Sequence, residues 1–137
     1  METKLNLKQA FIAGLKAAGV ATLVNAILFL IFKAAGVIVD TIFIQPNQPL
    51  TIAPIIFASI APTLIATLVF FLFEKFTNNG FKIFRNISLV LMVISFVNPF
   101  MGIEGVTVGY ALVLDIMHLV VVGSLLYFIG KAFKTAI

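Results

Sequence analysis

An aspartate and a histidine inside an apolar run are the residues of this chain best suited to chemistry. Asp115 and His118 lie in the segment ALVLDIMHLVVV. A spacing of three places both side chains on one face of a helix. A charged carboxylate in hydrocarbon is unfavourable unless it is paired, protonated or hydrated, and histidine titrates near neutral pH. The pair therefore suits a proton relay, a cation site or an anchor for a polar ligand.

The pair also has a purely structural interpretation, in which both side chains bond to neighbouring helices and hold the packing. Asp-x-x-His pairs bind metals in some helix bundles, but only with further ligands from other helices. His118 is the only histidine, cysteine is absent, and the other apolar stretches contain no carboxylate. We therefore expect no metal and no cofactor within one chain, whereas a metal site shared between chains stays open.

Four long apolar stretches must position these residues. They cover about residues 11–32, 52–73, 87–101 and 106–129, and hydrophobic residues make up 62% of the 137-residue sequence. About 20 apolar residues in a helix cross the hydrocarbon core of a bilayer, and a soluble domain of this size could not bury so much apolar surface. The stretches do not alternate as the strands of a membrane barrel do.

The sequence therefore predicts an all-α fold, an antiparallel four-helix transmembrane bundle. We expect a single membrane domain over residues 1–137, with helices near 9–35, 52–75, 83–101 and 106–132. This domain leaves no room for a soluble catalytic domain. No nucleophile–base pair or phosphate-binding loop is evident, so we do not expect an enzyme.

The charged residues predict the orientation of the bundle. With both termini in the cytoplasm, eight of the nine Lys and Arg residues lie on the cytoplasmic side, and only Lys33 lies outside. This bias is typical of proteins inserted by the positive-inside rule. We therefore predict a multi-pass membrane protein with both termini in the cytoplasm. The net charge of +4 does not indicate nucleic acid, because the positive residues lie at helix ends rather than in one patch. Lys33 is expected to extend toward the headgroups, or alternatively to pair with Asp115.

A layer of polar side chains is predicted inside the bundle. Counting 1.5 Å per residue from the helix ends places several polar groups at a similar depth. The proposed members of this layer are Asn25, Ser59, Thr63, Ser95, Asp115 and His118. Asn25 is the most informative, because an amide in lipid seeks partners on another helix, whereas Ser and Thr can bond to their own helix.

Prolines and small residues suggest how the helices pack. Pro62 should bend the second helix and deprive the Ala58 carbonyl of its usual donor, which either opens an outward-facing cavity or gives a static kink. Gly14 lies in a run of small residues that permits close helix approach, within the bundle or between copies of a homo-oligomer. Residues 37–51 form either an irregular loop or a hairpin-like cap, and Tyr110 is expected at the membrane interface.

Several segments together resemble a known protein family. They are NAILFLIFKAAGV in the first helix, QPNQPLTIAP before the second, APTLIATLVFFLFEKF within it and IMHLVVV in the fourth. The chain resembles a family of small uncharacterised bacterial four-helix membrane proteins. The resemblance implies a bacterial inner-membrane protein with no assigned activity and transfers no catalytic residue. Asn25, Pro62 and His118 fall within the matching segments, and Asp115 does not match.

Three functions remain open at this point. The first is a non-enzymatic membrane protein that binds a small ligand, lipid or ion at the polar layer, with transport as an extension. The second is a structural or accessory subunit that contacts membrane-protein partners through the small-residue face or lipid-facing phenylalanines. The third, a membrane enzyme acting on lipid, has the least support, since the sequence shows no complete catalytic set.

Overall fold

A computed structural model describes residues 4–136 of the chain and places five helices and one small hairpin there. In chain order these elements are α1 (Leu7–Ala34), β1 (Phe43–Gln45), β2 (Gln48–Pro49), α2 (Ile52–Phe76), α3 (Gly80–Ser95), α4 (Asn98–Gly102) and α5 (Val108–Ala136). Residues 1–3 and 137, which belong to the predicted domain, lie outside the described part. The predicted all-α, antiparallel four-helix transmembrane bundle is confirmed.

Four helical segments are long and apolar enough to cross a membrane: α1, α2, α3 together with α4, and α5. The third segment reaches from Gly80 to Gly102, so it extends beyond the apolar stretch at its N-terminal end. It is interrupted at Phe96 and Val97. Pro99 lacks the N–H that would bond to the Ser95 carbonyl, which explains why α3 ends there and a new turn begins.

Large apolar side chains cover the outside of the bundle. Leu23 on α1 and Ile65 on α2 are each 63% exposed, and many Leu, Ile, Val and Phe residues resemble them. Exposure of an apolar surface of this extent to water would be unfavourable, whereas the acyl chains of a bilayer solvate it. The chain is therefore a multi-pass membrane protein.

The first helix begins at a complete capping box. The Asn6 side chain accepts from the Gln9 backbone N–H at 2.9 Å, and the Gln9 side chain accepts from the Asn6 backbone N–H at 3.1 Å. These bonds satisfy two donors that a helix start leaves unpaired. After the C-cap Ala35, Gly36 has a φ of +74°, a conformation that stops the helix and favours glycine.

The small-residue face of α1 packs inside the bundle, against α2 and α5. Its buried members are Ala10, Ala13, Gly14, Ala17, Ala18 and Ala21. A Cβ atom added to Gly14 would overlap the Thr67 side chain of α2, with 2.8 Å to Thr67 Cγ2. The glycine therefore permits close approach of two helices of the same chain. Of the two uses that the sequence left open, the structure shows packing within the bundle rather than between copies.

Two apolar clusters occupy the two ends of the bundle. We call the end that carries the β-hairpin the hairpin end, and the end where α1 begins and α5 finishes the termini end. The hairpin-end cluster contains Phe29, Ile38, Ile42, Leu50, Ile55, Tyr110, Val113 and Met117. The termini-end cluster contains Leu5, Ala10, Ala13, Phe70, Phe84, Leu125 and Ile129. Tyr110 lies near the start of α5, as predicted, but it is completely buried and faces the core, so it is not the interface anchor that the sequence suggested.

The segment between α1 and α2 forms a hairpin, which confirms the cap-like alternative over the irregular loop. Strands β1 and β2 pair antiparallel, and the turn between them uses Asn47 with a φ of 59°. Lys33 forms an ion pair with Asp40 of this segment at 2.7 Å and lies over the Phe29 ring. The alternative pairing of Lys33 with Asp115 is therefore wrong.

Candidate functional site

A cleft of about 200 Å³ lies at the hairpin end, between α2, α5 and the hairpin segment. We call it the hairpin-end cleft. Its apolar lining consists of Ile44, Leu50, Pro54, Ile55, Ala58, Leu114, Met117 and Val121. Three polar residues complete the lining, namely Asn25, Ser59 and His118. All three belong to the predicted polar layer, so the structure brings half of that layer to one cleft.

Asn25 joins three helices at this cleft. Its side chain is only 2% exposed, and its Nδ2 donates to Ser59 Oγ of α2 at 3.1 Å and to the Met117 carbonyl of α5 at 3.2 Å. This arrangement matches the expectation that an amide in lipid finds partners on other helices. Its Oδ1 has no hydrogen-bond partner within residues 4–136. One acceptor atom of this lining residue is therefore buried without a partner in the described part of the chain.

Two members of the predicted layer bond within their own helices instead. The Thr63 hydroxyl donates to the Ser59 carbonyl at 2.7 Å, and the Ser95 hydroxyl donates to the Met92 carbonyl at 2.7 Å. Neither side chain lines the cleft. Both form the hydrogen bond that is common for Ser and Thr in helices, from the hydroxyl to the backbone carbonyl three or four residues earlier.

Asp115 and His118 have different surroundings although they lie on the same helix. A spacing of three leaves them about 60° apart around the helix axis. Asp115 is buried, lies outside the cleft lining, and its Oδ1 has no partner in the described part of the chain. His118 is exposed at the cleft, with Nδ1 2.9 Å from the Leu114 carbonyl. No hydrogen bond joins the two side chains, and of the two only His118 lines the cleft.

The Leu114 contact also assigns a role to each imidazole nitrogen of His118. A carbonyl can only accept, so Nδ1 carries the hydrogen in this contact. In the neutral ring Nε2 is then an acceptor, and in the charged ring it is a donor. The imidazole can therefore offer either type of hydrogen bond to a molecule in the cleft.

Pro62 acts on the cleft only indirectly. Helix α2 continues through Pro62, which is exposed and does not line the cleft. A proline ring cannot donate to the carbonyl four residues earlier, which is that of Ala58. Ala58 does line the cleft. Any effect of Pro62 on the cleft would therefore act through the α2 backbone at Ala58.

Some features of this region were not foreseen from the sequence. Ile44 and Leu50 close one side of the cleft because the hairpin folds back over the bundle. The hydroxyls of Thr22 and Tyr110 are buried without a partner in the described residues. The sequence contains a weak indication that the Thr22 hydroxyl is buried, because Thr22 lies three residues before Asn25 and therefore on a similar face of α1.

The lining of the cleft carries few ionisable groups. No carboxylate is among the residues that line it. Within residues 4–136, no group of three or more His, Asp or Glu side chains is placed to hold a metal ion. Most of the lining is apolar, so the apolar part of a small molecule would have a complementary surface there.

Comparison with known proteins identifies the family of the chain. The model of DUF6069, a family of unknown function, matches residues 6–134. The chain belongs to DUF6069. This agrees with the resemblance to an uncharacterised family of small membrane proteins. No curated protein and no solved structure matches this DUF6069 member. The function must therefore be argued from its own residues.

Proposed function

We propose that this protein binds a small, mainly apolar molecule in the hairpin-end cleft, with Asn25 and His118 as its polar anchors. One observation carries the proposal. The cleft surrounds one space with eight apolar side chains and with the polar residues Asn25, Ser59 and the exposed His118. A concave, mainly apolar lining with a few polar groups is the usual form of a small-molecule site.

The size and lining of the cleft define the class of ligand. A cavity of about 150 Å³ lined by apolar side chains can hold benzene, and drug-sized ligands need about 300 Å³ or more. The cleft, at about 200 Å³, suits a ring-sized group or the end of a lipid chain. A polar group on that ligand would contact His118, the exposed polar residue of the lining, with Asn25 beside it.

The charge distribution sets the expected location of this site. The positive-inside bias predicts that both termini are cytoplasmic, which directs the hairpin end outward, and the family resemblance implies a bacterial inner membrane. A ligand would then enter from the outer leaflet or the outer aqueous side. Transport would extend this function and would require the polar layer to open toward the termini end.

Blocking the cleft tests the proposal. Ala58 is exposed and lines the cleft, so Ala58→Phe fills it without displacing the core. Ala53 is exposed on the same helix and lies outside the lining, so Ala53→Phe is the matched control. Native mass spectrometry of protein purified in mild detergent should show a retained small molecule for the parent chain and Ala53→Phe, but not for Ala58→Phe.

Changes at the polar anchors give a second arm of the same experiment. His118→Ala should weaken retention, since it removes a lining contact. Asp115→Asn should leave retention unchanged, because Asp115 lies outside the lining. Equal retention by all variants, including Ala58→Phe, would refute ligand binding at this cleft.

An accessory subunit is the second candidate function. Its support is the set of strongly exposed phenylalanines, with Phe57 72% and Phe76 73% exposed. The small-residue face of α1 no longer supports it, because that face is buried within the bundle. A stable complex with another membrane protein, or a homo-oligomer, and no bound small molecule after mild purification would favour this function.

A further inference from the structure

A second groove lies at the termini end, between α3 and α5. It has a volume of about 630 Å³, and we call it the α3–α5 groove. The residues that the argument uses are Phe81, Arg85, Leu126, Tyr127, Lys131 and Lys134. It lies at the other end of the bundle from the hairpin-end cleft and shares no lining residue with it.

Three cations converge on this groove without a counter-charge. Arg85 comes from α3, and Lys131 and Lys134 come from the last turns of α5. No carboxylate belongs to the lining, and in residues 4–136 the one ion pair is that between Lys33 and Asp40 at the hairpin end. The groove therefore attracts an anion.

The floor of the groove is apolar because α3 and α5 approach closely there. A Cβ atom on Gly130 would lie 2.9 Å from Phe81 Cζ, so the ring packs directly on the glycine. The same ring stacks on Phe133 with 5.4 Å between the centroids. Leu126 and Tyr127 extend the lining away from the chain end, toward the membrane interior. The groove thus combines positive side chains near the chain end with apolar side chains closer to the middle of the bundle.

We infer that the α3–α5 groove binds a phospholipid with an anionic headgroup. Its phosphate lies among Arg85, Lys131 and Lys134, and one acyl chain follows Leu126 and Tyr127. The planar guanidinium of arginine can bind phosphate oxygens through two parallel hydrogen bonds, and lysines add charge. Basic pockets between helices on the cytoplasmic side suit anionic lipid headgroups, and the charge distribution predicts that the termini end is cytoplasmic.

A second copy of the chain is a poorer occupant. The third membrane segment, Gly80–Gly102, is the least covered, with 11% of its apolar window buried against 28% for each of the others. It therefore leaves room for a partner. Two copies that met along this groove would bring two sets of three cations together, and like charges oppose such pairing. An anionic lipid has the complementary charge.

Lipid selectivity tests the inference. The full chain is placed in nanodiscs that contain phosphatidylglycerol and phosphatidylcholine, and the lipids that remain bound are identified by native mass spectrometry. The parent protein should retain phosphatidylglycerol in preference. In the triple variant Arg85→Gln, Lys131→Gln and Lys134→Gln, that preference should fall about a hundredfold, because each basic residue near a headgroup contributes to anionic-lipid binding.

A matched triple variant controls for charge alone. Lys8→Gln, Lys75→Gln and Lys82→Gln removes the same charge from exposed positions at the same end that lie outside the groove. It should keep the preference. All six residues are exposed, so folding is expected to survive, and circular dichroism checks it. If the triple variant is unstable, Arg85→Gln against Lys82→Gln repeats the comparison on one helix.

Three results would overturn the inference. Equal loss in both triple variants would mean a diffuse charge effect rather than a groove. Displacement of the lipid by inorganic phosphate alone would mean an anion site that does not use the acyl chain. A lipid-free dimer that protects Arg85 from chemical modification would mean that a second copy covers the groove.

Discussion

Asn25 donates to the Ser59 hydroxyl across 3.1 Å and thereby joins α1 to α2 between the two apolar clusters of the bundle. The same amide nitrogen reaches the Met117 carbonyl of α5. Apolar contacts alone would tolerate small shifts of one helix along another, because one methyl group replaces another. A hydrogen bond between particular atoms does not tolerate such shifts. The amide therefore fixes the relative height of three helices as well as lining the cleft.

The contribution of this bond can be measured with a double-mutant cycle. Asn25→Ala and Ser59→Ala should each lower the free energy of unfolding, and the double variant should lose less than the sum. Interhelical hydrogen bonds in membranes contribute about 0.6 kcal/mol on average and about 1.7 kcal/mol at most, so the coupling should fall in that range. Reversible unfolding in mixed micelles is the measurement.

A second cycle is the control for the first. Thr63 bonds to the Ser59 carbonyl of its own helix and not to Asn25. Asn25→Ala combined with Thr63→Ala should therefore be additive. Strict additivity of the Asn25 and Ser59 changes would show that the bond between them does not stabilise the fold.

The close contact of α1 with α2 predicts a strong effect of one added methyl group. Gly14→Ala places a Cβ atom against the Thr67 side chain and should cost about 1–3 kcal/mol through overpacking. Gly19 lies on the same helix with no heavy atom within 4 Å of such a Cβ. Gly19→Ala should be neutral or slightly stabilising, since alanine favours helix. Thermal unfolding in detergent compares the two variants.

A compensating change separates crowding from a general effect of the glycine. Thr67→Ala removes two of the three atoms that the new Cβ atom would meet, Oγ1 and Cγ2, but keeps Thr67 Cβ at 2.9 Å, so it should restore part of the stability lost in Gly14→Ala. Failure of this rescue, or an equal loss in Gly19→Ala, would contradict the observed packing.

The orientation predicted from charge can be tested because the chain has no cysteine. Single cysteines are introduced at exposed positions at opposite ends, as Gln48→Cys in the hairpin and Asn78→Cys between α2 and α3. A membrane-impermeant maleimide should label the hairpin variant in intact cells. It should label the Asn78 variant only after permeabilisation. The reverse pattern would refute the positive-inside prediction.

The sequence alone determined the properties that depend on length, hydropathy and local chemistry. Four apolar stretches of sufficient length required four membrane helices, because backbone polar groups in lipid must be satisfied internally. Asn25 was identified correctly as an interhelical donor, since an amide cannot be satisfied within its own helix as a hydroxyl can. Ser59 and His118 were placed near it by depth along the helix.

Only the tertiary structure decided which faces of the helices meet. Depth along a helix is read from residue counting, whereas rotation about its axis is set by packing against all the others. For this reason Asp115 became buried outside the cleft while His118 lines it. For the same reason Tyr110 entered the core, and the small face of α1 was used within the chain. The hairpin cover over the cleft likewise depends on contacts between residues distant in sequence, which local patterns do not specify.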